Sequence, residues 1–214
     1  MTIDELYRFV QFLANKDQRG FIKPSEFNLA ATRAQLDIIE EKFKSENTHK
    51  NLDDLAPVVE KATITYNAAN NGAFGFPTRF LHFVSMTFGG STVELLGHEK
   101  LQNRLSSELV APTAAYPVAV VIDDGFEIFA SSTEATSGTC IITYIKEPLA
   151  PTWTSTVVNG VAVYNSSASD AQELTLPTST HKDILHKILE YVGVSLREAD
   201  VTSFGSSFDE SSKE

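Results

Sequence analysis

Hydrophobic residues change their spacing twice along this 214-residue chain, and that change limits what it can fold into. From Ile3 to about Phe43 they recur at helical intervals. From Ala62 to Asn165 they gather in short runs rich in β-branched and aromatic residues, and from Ile184 to Val192 the helical interval returns. Helices collected before and after a block of strands point to an α+β fold with an antiparallel body, not to alternating βαβ units. We expect a helical hairpin over residues 1–50 and a β-rich body carrying one short helix over 51–178. A C-terminal helix over 179–202 packs on that body, and a mobile acidic tail occupies 203–214.

The first helix opens with Thr2 and Glu5, a capping-box pair. Ile3, Leu6, Tyr7, Val10, Leu13 and Ala14 make its apolar face, while Phe12 falls on the opposite side. The second helix is expected to start at Pro24-Ser25, with Ser25 as N-cap, and to run to about Phe43. It carries two stripes. Phe27, Ala30, Ala31, Ala34 and Ile38 form one, with small residues that permit close helix approach. Leu29, Leu36 and Phe43 recur every seven residues on the other side. A surface helix needs one apolar face; two imply burial on both sides, in a larger core or against a neighbouring subunit. Phe12, Leu29, Leu36 and Phe43 are therefore the oligomer-interface candidates.

Residues 44–60 read as a polar linker with one helical turn. Strands are expected at 62–67, 80–88, 92–96, 118–122, 126–131, 139–146, 156–158 and 161–165, with a last one at Leu174–Leu176. Asp123-Asp124-Gly125 and Asn159-Gly160 mark hairpins. A helix over His98–Glu108 places Leu101, Leu105 and Leu109 in one row. The last helix starts at Ser179 or Thr180 and takes Gly193 as its C′ residue.

The connector Asn15–Glu26, NKDQRGFIKPSE, has the spacing of a calcium loop: Asn15, Asp17 and Arg19 alternate, Gly20 is sixth and Glu26 twelfth. Calcium needs several oxygen ligands, and Asn15, Asp17 and Glu26 are the candidates. Arg19 cannot supply one, and Lys16, Arg19 and Lys23 outnumber Asp17 and Glu26. The same letters suit a plain turn, with Gly20 free to take positive φ and Glu26 favouring a helix N-terminus. The alternative function, a small EF-hand-like calcium-binding regulatory protein, rests on this loop alone.

No other constellation carries chemistry. His49, His82, His98, His181 and His186 form no HExxH or close ligand pair, and each reads as a surface or strand-side histidine. Cys140, the single cysteine, lies in a strand run and reads as a small core residue. Asp123 and Asp124 sit at a hairpin tip. Gly89-Gly90-Ser91-Thr92 lacks the P-loop lysine, and Trp153 reads as a lid on the β-body. We expect no enzyme, no metal and no cofactor.

The formal charge of −11 disfavours adhesion to a phosphate backbone. The start, MTIDELYRFV, lacks the pattern of a secretory signal, and runs such as Val118–Ile122 are too short to cross a bilayer. A soluble, intracellularly made protein without membrane contact is expected.

Several segments carry a resemblance: DELYRFVQFLANKDQRGFIKPSEFNLA at the front, then RLSSELVAPTAAYPVAVV, GTCIITYIKEPLAPTW and ILEYVGVSLREADV. From Asp4 to about Val201 the chain resembles virion structural proteins of crAss-like and related podoviruses infecting Bacteroidetes. The resemblance implies a head-to-tail connector or tail-ring subunit. Such a subunit forms a cyclic homo-oligomer with portal and other ring or tail proteins as partners. Genomic DNA passes through its channel without specific binding. It also implies assembly in the bacterial host cytoplasm and residence in the virion.

Overall fold

The computed structural model describes residues 1–15, 21–45, 53–68, 73–158 and 161–196. Its main helices are Ile3–Asn15 (α1), Pro24–Lys44 (α2), His98–Leu105 (α3) and His181–Leu196 (α4). Ten strands accompany them: Val59–Asn67 (β1), Ala73–Gly75 (β2), Phe80–Phe88 (β3), Ser91–Thr92 (β4), Glu94–Leu96 (β5), Val118–Ile122 (β6), Gly125–Phe129 (β7), Thr139–Lys146 (β8), Ser155–Val158 (β9) and Val161–Tyr164 (β10). The chain is mixed α+β and divides into two compact units. One takes Met1–Val58 together with everything from Pro148 onward, and the other takes Val59–Glu147. The division therefore differs from a continuous body over 51–178. Residues 148–178 and α4 join the helical unit, where α4 packs on α1 and α2.

In the helical unit, local chemistry sets the helix starts. The Thr2 N–H donates to Glu5 Oε2 at 2.9 Å, and the Glu5 N–H donates back to Thr2 Oγ1 at 3.2 Å. The N-cap of the second helix falls two residues before the expected Ser25. Pro24 takes the first helical position, where its missing N–H costs nothing, and Lys23 is the N-cap. Glu26 reaches back to accept the Lys23 N–H at 3.1 Å. Residues 16–20, which join the two helices, lie outside the described residues. Ile22, just beyond them, is tied to α1: the Tyr7 hydroxyl donates to the Ile22 carbonyl at 2.9 Å, and burial pushes the Tyr7 phenol above its usual range.

Two expectations fail near the C-terminal helix. Leu174–Leu176 is not a strand, because its groups bond to helices and turns. The Thr175 N–H donates to Gln35 Oε1 at 2.9 Å, and the Leu176 carbonyl lies 3.0 Å from His181 Nε2. Gly193 is not a C′ residue either, since α4 runs through it to Leu196. A helix-interior glycine costs roughly 0.5–1 kcal/mol, which packing of the preceding turn on α2 offsets. The expected tail, residues 203–214, lies outside the described residues.

The second unit is one eight-stranded sheet in the order β4-β3-β8-β1-β2-β7-β6-β5. Its two ends are nearly one segment, because only Val93 separates β4 from β5. Ser91–Thr92 pairs with β3 at one end of the order, and Glu94–Leu96 pairs parallel with β6 at the other. The sheet thus curls into a nearly closed, antiparallel-rich barrel, which removes most exposed edges. Phe74, Phe126, Ile128, Met86 and Ile142 fill it, and Phe126 meets Phe76 edge-on at 5.0 Å.

The β6–β7 hairpin forms as expected, for a different reason. Ile122 pairs with Gly125 across the two-residue loop Asp123-Asp124, and Gly125 has no positive φ. Gly125 is needed because a Cβ there would lie 2.3 Å from the Phe74 carbonyl oxygen of β2. Gly89 and Gly90 are the true positive-φ pair, at 57° and 89°, between Phe88 and Ser91. A primed two-residue turn requires that pair. The α3 helix ends at Leu105, where the Ser106 hydroxyl donates to the Asn103 carbonyl, so Leu109 is left exposed beyond it.

Candidate functional site

Trp153 organises the helical unit. Its ring lies 4.2 Å from Tyr7 of α1 and 5.9 Å from Tyr164 of β10, centroid to centroid, and its Nε1–H donates to Asp4 Oδ1 at 3.0 Å. Asn28 of α2 clamps its backbone: the Trp153 N–H donates to Asn28 Oδ1 at 2.8 Å, and Asn28 Nδ2 donates to the Trp153 carbonyl at 3.2 Å. The residue is buried inside the helical unit, so it is not a lid on the β-body. A single polar-aromatic cluster thereby holds α1, α2 and the returning chain against one another.

With Trp153 on their inner sides, the two helices turn other faces outward. Ile3, Leu6, Tyr7, Val10 and Ala14 of α1 are buried, while Phe12 is 64% exposed. On α2, Phe27, Ala31, Ala34, Gln35, Ile38 and Ile39 are buried, whereas Leu29 is 74% and Phe43 38% exposed. Leu36, between them on the seven-residue stripe, is half-buried. Phe12 and Leu29 are thus largely exposed, Phe43 is exposed to a lesser degree, and Leu36 is partly covered. Sequence reasoning missed Phe9 and Phe21, both exposed. Phe9 lies one turn before Phe12 and was legible from that spacing.

Beside Leu29 runs an apolar groove of about 320 Å³. Ile22, Leu29 and Ala30 form one wall and Tyr191 and Val192 of α4 the other, with Glu26 and Arg33 on the rim. Arg33 pairs with Asp37 at 3.1 Å, and the Tyr191 hydroxyl donates to the same carboxylate. Burial, then the Asp37 carboxylate, push the Tyr191 phenol above its usual range. The groove can take an aliphatic or aromatic side chain, and its polar rim would orient what enters.

Of the calcium candidates, Asn15 closes α1, Asp17 lies outside the described residues, and the Glu26 carboxylate is exposed and engaged at the start of α2. Among the described residues no group of three or more His, Cys, Asp or Glu is placed to hold a metal. His181 and His186 are buried rather than on the surface, because both lie on the sides of α4 that face its own unit. Cys140 is fully buried in the barrel, and burial pushes its thiol up to about 12. No described helix is long and apolar enough to cross a membrane. A scan against protein-family models gives no match, and a search of curated proteins gives none either.

Proposed function

We propose that this chain is a virion structural protein, a connector or ring subunit of a phage portal–tail assembly. It multimerises through the outer faces of α1 and α2. The observation that carries the reading is Leu29, exposed at the lip of an apolar groove on a helix whose opposite side is fully packed. A large apolar side chain beside a matching groove suits a heterologous contact, in which one copy's ridge enters the next copy's cleft and closes a ring. Phe12 and Phe43 extend the same chemistry, and the angle between the two helices would set how neighbours meet. The acidic balance of −11 lets polyanionic DNA pass a channel without adhering. The segment resemblances and the acidic C-terminal sequence fit the same assignment.

Sedimentation and electron microscopy of the full chain, alone and with its portal, test it. Closed rings or portal-bound particles are expected. Leu29→Asp should abolish them while leaving the unfolding free energy within about 0.5 kcal/mol, as exposed substitutions do. A particle that stays monomeric and never joins portal sinks the proposal. So does a Leu29→Asp chain that assembles normally.

A further inference from the structure

One edge of the barrel is unfinished. Strand β1 pairs with β8 over its whole length from Val59↔Ile145 to Thr65↔Thr139. On its other side it pairs with β2 only at Tyr66↔Phe74 and Asn67↔Ala73. Continued in register, β2 would lay Phe76 opposite Ile64 and Pro77 opposite Thr63. It does not continue. The Phe76 N–H turns away to the Asp124 carbonyl at 3.2 Å, and proline cannot donate to a ladder. Among the described residues, no backbone group hydrogen-bonds that side of Val59–Thr65. A cleft of about 630 Å³ runs along it, walled opposite by Gly75–Arg79. The far wall is pinned: the Glu147 N–H donates to the Arg79 carbonyl at 2.7 Å, and the Arg79 guanidinium donates to the Glu147 carbonyl. Arg79 holds a φ of 59°, a conformation uncommon for a side-chain-bearing residue.

An open edge offers alternating N–H and C=O groups to an extended chain. We infer that this slot receives residues 203–209 from the C-terminal segment of a second copy, as an added strand antiparallel to β1. That segment reads Ser203-Phe204-Gly205-Ser206-Ser207-Phe208-Asp209, with Glu210 next. In an extended chain Phe204 and Phe208 share one face, and Ser203, Gly205 and Ser207 share the other. Val59–Thr65 spans about 23 Å at roughly 3.3 Å per residue, which seven added residues match. With Phe204 opposite Ile64, the aromatic face turns toward the barrel interior beside Phe76, and the small face lies outside with Thr63 and Thr65. Asp209 and Glu210 then reach the Val59 end, where Arg79 has no carboxylate partner among the described ion pairs and Lys146 pairs with Glu60 at 2.8 Å. The inference goes beyond the virion assignment and does not depend on it.

The register gives the test. Full-length chains carrying Thr65→Cys are mixed with full-length chains carrying Ser203→Cys and mildly oxidised. Cys140 is buried and does not compete. A disulfide-linked dimer is expected from this pair and from Lys61→Cys with Ser207→Cys. It should be lost with Thr202→Cys, whose side chain faces the other way, and lost when Phe204→Asp and Phe208→Asp are added. Absent links, or equal linking at 202 and 203, overturn the inference. So does a link formed only within one chain when both cysteines share it. Repeating the mixture in Leu29→Asp chains separates the two proposals, because links that persist there keep the slot even where the helical face fails.

Discussion

The helical unit and the barrel reach a packed state by opposite routes, and each leaves a different kind of surface unfinished. The helical unit satisfies its backbone within helices, so its specificity rests on side chains reaching across long sequence separations. Asn28 to Trp153, Gln35 to Leu149 and Thr175, and Ser179 to Asp54 are such links. What it leaves exposed is a stripe of side chains, Phe12 and Leu29 foremost, with Phe43 showing part of its ring. The barrel satisfies its backbone between strands and fills its interior with packed phenylalanines. What it leaves open is backbone, the free side of β1. A helix face recruits a partner by shape and apolar area, whereas a strand edge recruits one by hydrogen-bond register.

The largest expected effect comes from removing the aromatic centre of either unit. Trp153→Ala and Phe126→Ala each delete a large buried ring and should cost about 3–5 kcal/mol. Trp153→Ala should cost more helical than strand signal in far-ultraviolet dichroism during denaturant unfolding, and Phe126→Ala the reverse. Identical loss of both signals in both variants would mean that the units do not unfold separately.

A smaller effect isolates backbone approach in the barrel. Gly125→Ala places a methyl group 2.3 Å from the Phe74 carbonyl oxygen, so β2 must shift. The expected loss is about 1–3 kcal/mol, the range for overpacking, read as a lower denaturation midpoint with an unchanged slope. A turn-type role for Gly125 would instead be rescued by Asn, which tolerates positive φ; Gly125→Asn should be no better than Ala.

The smallest effect is a pH dependence confined to the barrel. The Cys140 thiol is raised from near 9 to about 12 by burial, so the folded state keeps its proton where the unfolded chain loses it. Stability from this group is complete below pH 9 and falls as pH rises toward 12, by about 1.4 kcal/mol per pH unit. Cys140→Ala should remove that part of the alkaline slope. Thiol labelling of the native chain at pH 8 should track barrel unfolding and be unaffected by Trp153→Ala if the units unfold separately.

Periodicity alone made much of this architecture legible. The capping pair Thr2–Glu5, the buried face of α1 and the strands at 80–88, 118–122 and 139–146 all appear where the spacing puts them. Those features are local, set by residues within one turn or one pleat. The two-stripe reading of α2 was also legible, because a seven-residue recurrence is a property of the sequence itself. Its outcome was not, since Leu36 is partly covered while Leu29 is largely exposed and Phe43 less so.

By itself, the sequence determined most of the element types, the capped start of α1 and the buried apolar faces, because hydrophobic period and capping chemistry act over a few residues. Tertiary structure alone decided which distant segments meet. It took 148–178 and α4 away from the β-body and placed Trp153 between α1 and β10. It also turned Gly125 from a turn residue into a point of close strand approach. It peeled Phe76 and Pro77 off β1, and with that left a strand edge free. These outcomes depend on packing between residues far apart in the chain, which no local spacing encodes.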